Sequence, residues 1–132
     1  MKKIFKLIIS NIVIANLISI SAFAITPPKD WNNKWWNDGV SWNYIKDQKP
    51  VTGLQSIDNK LYYFDSKGNE VFGWIQYNSQ WLYCDGERQE LAASGWKNVN
   101  GKWYYFDSNA YMLHDTTTPD GYKMGSDGAW IG

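Results

Sequence analysis

Pairs of tryptophans separated by seven residues are the side chains in this sequence best suited to binding a ligand. Three such pairs occur: Trp35 and Trp42, Trp74 and Trp81, and Trp96 and Trp103. The face of an indole ring attracts a cation electrostatically, so converging rings can hold a quaternary ammonium group that has no N–H to donate. The methyl groups of such a cation also present apolar surface for burial. A cage of this kind requires a fold that holds both tryptophans of a pair beside aromatic rings from elsewhere in the chain.

The stretch from Gly95 to Asp107 indicates how each pair is held. Asn100-Gly101 lies between a short segment around Trp96 and an aromatic run from Lys102 to Phe106. Asn-Gly between such runs is the strongest short-range signal for a β-hairpin. The sequence therefore predicts two short strands joined by a tight turn, with one tryptophan of the pair on each strand.

The same pattern recurs along the chain and predicts a repeat architecture. The anchor residue and its partner seven positions later are Trp35/Trp42, Leu54/Leu61, Trp74/Trp81 and Trp96/Trp103, and a looser last copy has Tyr122 and Trp130 eight residues apart. Successive anchors lie 19, 20, 22 and 26 residues apart. We expect units of about 34–52, 53–72, 73–94, 95–120 and 121–132.

Alternation of side chains along the second strand of each unit predicts what its two faces do. The fourth position (Ile45, Phe64, Cys84 and Phe106) is expected to be buried between hairpins, and the first and third positions to build sites. No apolar period of 3.6 residues is sustained after the first 24 residues, so helix is not expected there. Single hairpins are marginally stable alone. We therefore predict an all-β solenoid of stacked two-stranded hairpins, and we call the contact between consecutive units a seam.

The first 24 residues are typical of a secretory signal peptide. Lys2, Lys3 and Lys6 precede an apolar stretch from Leu7 to Ile20, and Ala22-Phe23-Ala24 is a small-x-small cleavage site. The stretch is short and interrupted by polar residues, whereas a retained transmembrane helix needs about 20 apolar residues. Residues 25–33, which contain Pro27-Pro28, are predicted to form a linker, and 34–132 the repeat module.

The net charge and the cysteine count limit the classes of protein to which this chain could belong. Without the predicted signal, ten basic residues face 13 acidic ones, a formal charge of −3. A nucleic-acid-binding protein would instead show a basic face. Cys84 is the only cysteine, so no internal disulfide is possible. We expect no nucleic-acid partner, and no membrane association once the signal is cleaved.

The motif Gly-Trp-x4-Gly-x-Trp-Tyr-Tyr-Phe-Asp, written by Gly95 to Asp107 and repeated about every 20 residues, resembles the choline-binding (cell-wall-binding) repeats of surface proteins and autolysins of Gram-positive bacteria. The resemblance implies that a choline lies between successive hairpins. Two tryptophans of one hairpin and the last tyrosine of the next aromatic run would form each cage. Carried over by position, the cages are Trp74, Trp81 and Tyr105 with Met112; Trp35, Trp42 and Tyr63, with Glu70 at the methionine position; and Trp96 and Trp103 with Trp130. The seam of Leu54, Leu61 and Tyr83 has lost two aromatics, and no ligand is expected there.

The implied function is that of a secreted, non-catalytic, cell-wall-associated module that binds choline-decorated, teichoic-acid-like polymer and can pair as a homodimer. Two alternatives stay open. The rings could stack on carbohydrate, with Asn37, Asn98 and Asp107 as polar partners, as in related glucan-binding and toxin repeats. The repeats could also serve as a structural spacer.

No catalytic or metal-binding constellation is expected, and no cofactor. Cys84 is predicted to be a small buried hydrophobic residue, because a nucleophile would need an adjacent base. The only histidine, His114, has no second His or Cys at ligand spacing. Asp65, Asp85 and Asp107 recur at one register and are expected to cap turns.

Overall fold

The computed structural model describes residues 26–86 and 89–132. The predicted signal peptide, residues 1–24, lies outside the described residues. All regular secondary structure within the described ranges is β-strand, as expected from the sequence. The strands are β1 (Lys34–Asn37), β2 (Trp42–Lys46), β3 (Lys49–Pro50), β4 (Gly53–Ile57), β5 (Lys60–Phe64), β6 (Gly73–Tyr77), β7 (Gln80–Cys84), β8 (Gly95–Val99) and β9 (Lys102–Phe106).

Three separate two-stranded antiparallel hairpins are formed by β4–β5, β6–β7 and β8–β9. The predicted turn at Asn100-Gly101 is confirmed, with φ of 51° and 84°. Positive φ at both central residues is the requirement of a type I′ turn, whose twist matches that of the strands it joins. The first unit differs from the prediction, because the short strand β3 pairs with β2 and gives a three-stranded sheet.

Strand register assigns the side chains of each hairpin to two faces. In β8–β9, Trp96 lies opposite Tyr105 and Asn98 opposite Trp103. Trp96, Trp103 and Tyr105 therefore share one face, which we call the forward face because it meets the next unit. Tyr104 and Phe106 alternate with them and occupy the backward face, which meets the preceding hairpin.

One hydrogen bond repeats at every seam and fixes the stacking of the units. In each bond, a backbone N–H near the end of one unit donates to a backbone carbonyl in the second strand of the preceding unit. The N···O distances are 2.7–2.8 Å. The four bonds run from Glu70 to Trp42, from Leu91 to Leu61, from Met112 to Trp81 and from Trp130 to Trp103. The four donor residues consequently occupy equivalent positions, which we call the floors of the seams. The floor residue is Glu70 in the first seam, Leu91 in the second, Met112 in the third and Trp130 in the last.

The core lies between the hairpins. The predicted burial of the fourth strand position is confirmed, since Ile45, Phe64 and Phe106 are fully buried and Cys84 is 2% exposed. The last unit completes the stack without regular strands. It is held by isolated bridges between Thr117 and Lys123 and between Met124 and Trp130.

Candidate ligand-binding cavities

The third seam encloses an open cavity of about 460 Å³. Its aromatic and thioether walls are Trp74 and Trp81 from the forward face of β6–β7, Tyr104 from the backward face of β9, and Met112 from the following segment. The Trp74 and Trp81 rings are nearly perpendicular, with centroids 6.3 Å apart, and Tyr104 lies 4.8 Å from Trp74. Trp74 and Trp81 remain 37% and 40% exposed, so their rings are accessible to a ligand.

The placement of Tyr105 in this seam is wrong. Tyr105 lies on the forward face of β9, where its ring packs 5.3 Å from that of its cross-strand partner, Trp96. Alternation along the strand turns the ring of Tyr104, one residue earlier, toward Trp74 instead. The middle tyrosine of the Trp-Tyr-Tyr run therefore closes the cavity, and the last tyrosine supports the tryptophan of its own hairpin.

The last seam encloses a second open cavity, of about 390 Å³. Trp96 and Trp103 meet Trp130 here, as expected, and Tyr122 adds a fourth ring. The centroid of Tyr122 lies 5.5 Å from Trp96 and 5.8 Å from Trp130, both nearly perpendicular. Tyr122 takes the place that Tyr104 has in the third seam. Tyr122 lies eight residues before Trp130, and this spacing is the feature of the sequence that could have assigned Tyr122 to the cavity.

The first seam repeats part of the third. The ring of Trp35 lies 4.9 Å from Tyr62, close to the separation of Trp74 and Tyr104. Tyr63 does not close this seam, because it faces forward and packs 5.4 Å from Tyr77 of the next hairpin. The floor position holds the carboxyl-bearing Glu70, which is 5% exposed.

The second seam is filled by leucines. Leu54 and Leu61 pack against the buried Leu82 and Leu91, which take the places of the tyrosine and the methionine in the third seam. Tyr83, expected to face this seam, lies instead 5.0 Å from Trp74 on the forward face of its hairpin. The physical reason is the same alternation that places Tyr63 and Tyr105.

The charged groups around the two cavities differ. Asp127 lines the third cavity and is paired with Lys102 at 3.5 Å. His114 lines the same cavity, with its Nδ1 atom 2.9 Å from a carboxylate oxygen of Asp115. Asp120 lines the last cavity and accepts a hydrogen bond from the indole N–H of Trp96 at 2.8 Å.

The polar residues considered as carbohydrate partners are engaged in turns. Asn37 accepts the backbone N–H of Gly39, and Asn98 accepts that of Gly101. Asp107 accepts the backbone N–H groups of residues 109 and 111. These bonds use side-chain oxygens that a sugar hydroxyl would otherwise donate to.

Turn capping by the recurring aspartates is confirmed for two of the three. Asp65 binds its turn as Asp107 does, accepting the backbone N–H groups of Lys67 and Asn69. The turn after Asp85 includes residues 87–88, which lie outside the described residues, and the Asp85 carboxylate pairs with the Lys97 ammonium at 2.8 Å.

Cys84 is buried as predicted, and its thiol donates to the carbonyl of Gln89 at 3.0 Å. Burial, with the nearby carboxylate of Glu70 adding to it, raises the pKa of this thiol to about 12. Across residues 26–86 and 89–132, no cluster of three His, Cys, Asp or Glu side chains could hold a metal ion. In the same ranges no helix has the length and apolar character to cross a bilayer.

Known protein families and solved structures share this architecture. Sequence profiles of the choline-binding repeat match residues 51–94 and 90–130. Among solved structures, CbpJ from Streptococcus pneumoniae TIGR4 is 35% identical with a TM-score of 0.68, over 75% of this chain and 34% of its own. Choline binding protein F from S. pneumoniae is 34% identical with a TM-score of 0.67, over 76% and 34%. The choline binding domain of Spr1274 from S. pneumoniae is 29% identical with a TM-score of 0.57, over 63% and 98%.

These matches define the class. The chain belongs to the choline-binding repeat family, and its fold is the stacked-hairpin fold of pneumococcal choline-binding proteins. It spans about a third of the length of CbpJ and of choline binding protein F. No curated protein sequence matches it significantly.

Proposed function

We propose that this chain is a secreted, non-catalytic module that attaches to choline-bearing cell-wall polymer through aromatic cavities between its hairpins. The observation that carries the proposal is the third seam. There, Trp74 and Trp81 converge with Tyr104 of the next hairpin around an open cavity. Family membership supports choline as the ligand, and choline binding protein F has been solved in the presence of a peptidoglycan analogue.

The chemistry of the third cavity suits a quaternary ammonium. Each ring face contributes about 0.5–2 kcal/mol of cation–π attraction, more where water is excluded. The Met112 thioether is polarizable and apolar, and it can contact the methyl groups of the cation without requiring a hydrogen bond. A trimethylammonium group needs no hydrogen-bond acceptor, and the third cavity offers it three aromatic rings and a thioether.

The last cavity is the second proposed site, with Trp96, Trp103, Tyr122 and Trp130 as its walls. A further proposed site is the first seam, where Trp35 packs 4.9 Å from Tyr62 and Trp42 lies on the same face of the sheet as Trp35. We propose no ligand in the second seam, where leucines occupy the space that a ligand would take. Several weak sites on one stack gain avidity on a polymer that displays choline repeatedly.

Retention on a choline or tertiary-amine resin, followed by elution with free choline, tests the proposal. Trp74→Ala removes a cavity wall, whereas Leu54→Ala removes a packing residue at the equivalent position of the closed seam. We expect Trp74→Ala to elute at a clearly lower choline concentration than Leu54→Ala. Passage of the folded wild-type protein through the resin without retention would contradict the choline assignment.

A further inference from the structure

Asp120 distinguishes the last cavity from the third. Its carboxylate belongs to the lining of the last cavity, together with four aromatic rings, and it is the only charged side chain in that lining. The indole N–H of Trp96, itself a wall of the cavity, donates to Asp120 at 2.8 Å. The carboxylate is thus held at the edge of the ring that a bound cation would face.

The negative charge of Asp120 is not compensated by a neighbouring cation. No ion pair among residues 26–86 and 89–132 involves Asp120. Its hydrogen bonds come from the Thr118 hydroxyl and the Trp96 indole, both neutral donors, and they hold the pKa of the carboxyl below its ordinary value. The group therefore keeps its charge throughout the neutral pH range.

The third cavity provides the contrast. Its carboxylate, Asp127, pairs with the Lys102 ammonium at 3.5 Å, and this pairing offsets the charge. The two cavities thus have similar aromatic walls and one lining carboxylate each, but the carboxylate of the third cavity is ion-paired and that of the last cavity is not. A difference in ligand selectivity between them follows from electrostatics alone.

We propose that Asp120 is a specificity-determining residue that makes the last cavity selective for organic cations over neutral molecules of the same shape. The inference rests on the proposed function, since it assumes that both cavities bind choline. Contact with the ring faces and burial of the methyl groups stabilise a bound cation and a bound neutral isostere to a partly similar extent. The carboxylate attracts only the cation. Because Asp120 is exposed, we expect its charge to favour the cation by a factor of roughly three.

Choline and its neutral isostere 3,3-dimethyl-1-butanol test this directly. Both ligands are titrated into the protein while the indole N–H signals of Trp96 and Trp74 are followed by NMR, one reporter for each cavity. Asp120→Asn removes the charge but keeps an oxygen that can accept the Trp96 N–H. Asp120→Glu keeps the charge, and Asp127→Asn is the matched change at the third cavity.

For Asp120→Asn we expect the ratio of the two dissociation constants at Trp96, isostere over choline, to fall roughly threefold. The ratio at Trp74 should not change, and Asp120→Glu should retain most of the ratio at Trp96. An unchanged ratio in Asp120→Asn, or equal weakening of both ligands, would overturn this inference and leave the proposed function standing. Absence of choline binding at both reporters in the wild-type protein would overturn the two together.

Discussion

Tyr104 packs its ring against Trp74 of the preceding hairpin, with centroids 4.8 Å apart and planes inclined by 71°. The same relationship joins Tyr62 to Trp35, at 4.9 Å and 72°. The candidate sites at the first and third seams therefore each draw on two successive units. One supplies tryptophans from its forward face, and the next supplies a tyrosine from its backward face.

Replacing Tyr104 tests this division. Tyr104→Ala should weaken choline binding at the third cavity roughly fivefold, because one ring face is lost. Tyr105→Ala is the matched control, since it removes the adjacent tyrosine, which packs on Trp96. Choline titrations reported by the Trp74 indole signal would measure the effect. Equal weakening of the third cavity by both substitutions would contradict the assignment.

Gly128 is expected to couple a turn of the last unit to the third cavity. Its φ is +77°, and a methyl group at this position would overlap the thioether of Met112. Gly128→Ala should therefore lower thermal stability and weaken choline binding at the third cavity. Gly121→Ala is the control, because Gly121 also has positive φ (+94°) but open space around it. Backbone strain alone costs about 1–2 kcal/mol.

Thermal unfolding and choline titration of the two glycine variants separate strain from overlap. The Gly121 variant reports strain, and any further loss in the Gly128 variant reports displacement of Met112. If the two variants lost stability equally and bound choline equally well, the contact with Met112 would have no energetic consequence.

Cys84 should be inert in the folded protein. Burial raises the pKa of its thiol to about 12, and the thiolate is the reactive form. A disulfide reagent at pH 8 should therefore titrate no thiol in the native protein and one thiol per chain after denaturation. Rapid labelling of the native protein would contradict the burial of this side chain.

Asp65 should make stability depend on acidic pH. Burial opposes ionisation of its carboxyl, but hydrogen bonds from Asn69 and Lys67 outweigh burial and lower the pKa below its ordinary 3.8. The stabilisation is therefore present above this ordinary value and is lost as the pH falls through the lower pKa of the folded state. Asp65→Asn should lower the free energy of unfolding more at pH 7 than at pH 3, measured by chemical denaturation. An equal loss at both pH values would exclude the charged form as the origin.

Much of the fold could be predicted from the sequence because its local signals agree. Asn100-Gly101 specifies a tight turn, and period-two alternation places Phe64 and Phe106 in the core. The same alternation requires Trp103 and Tyr105 to share one seam, which excludes Tyr105 as the partner of Trp74. The information that identifies Tyr104 was therefore present in the sequence.

Other features have no clear local signal in the sequence. Asp120 is 24 residues from Trp96, and no local pattern brings its carboxylate to that indole. Strand β3 was also not predicted, because Lys49–Pro50 is too short to show alternation. The Asp120 contact joins two ends of one unit across a long loop, and β3 pairs with β2 inside the first unit.

The two faces of a hairpin carry different chemistry, and this constrains how the chain can fold. The hairpin β4–β5 carries a tyrosine and a phenylalanine on its backward face and leucines on its forward face. The hairpin β6–β7 carries leucine on its backward face and tryptophans on its forward face. Near-identical repeats are prone to pair out of sequence, within one chain or between two. Here an exchange of these two hairpins would oppose leucine to tryptophan at a seam and lose the matched packing. The leucine seam therefore helps to specify the order of the units, and it discourages domain-swapped and misordered stacks.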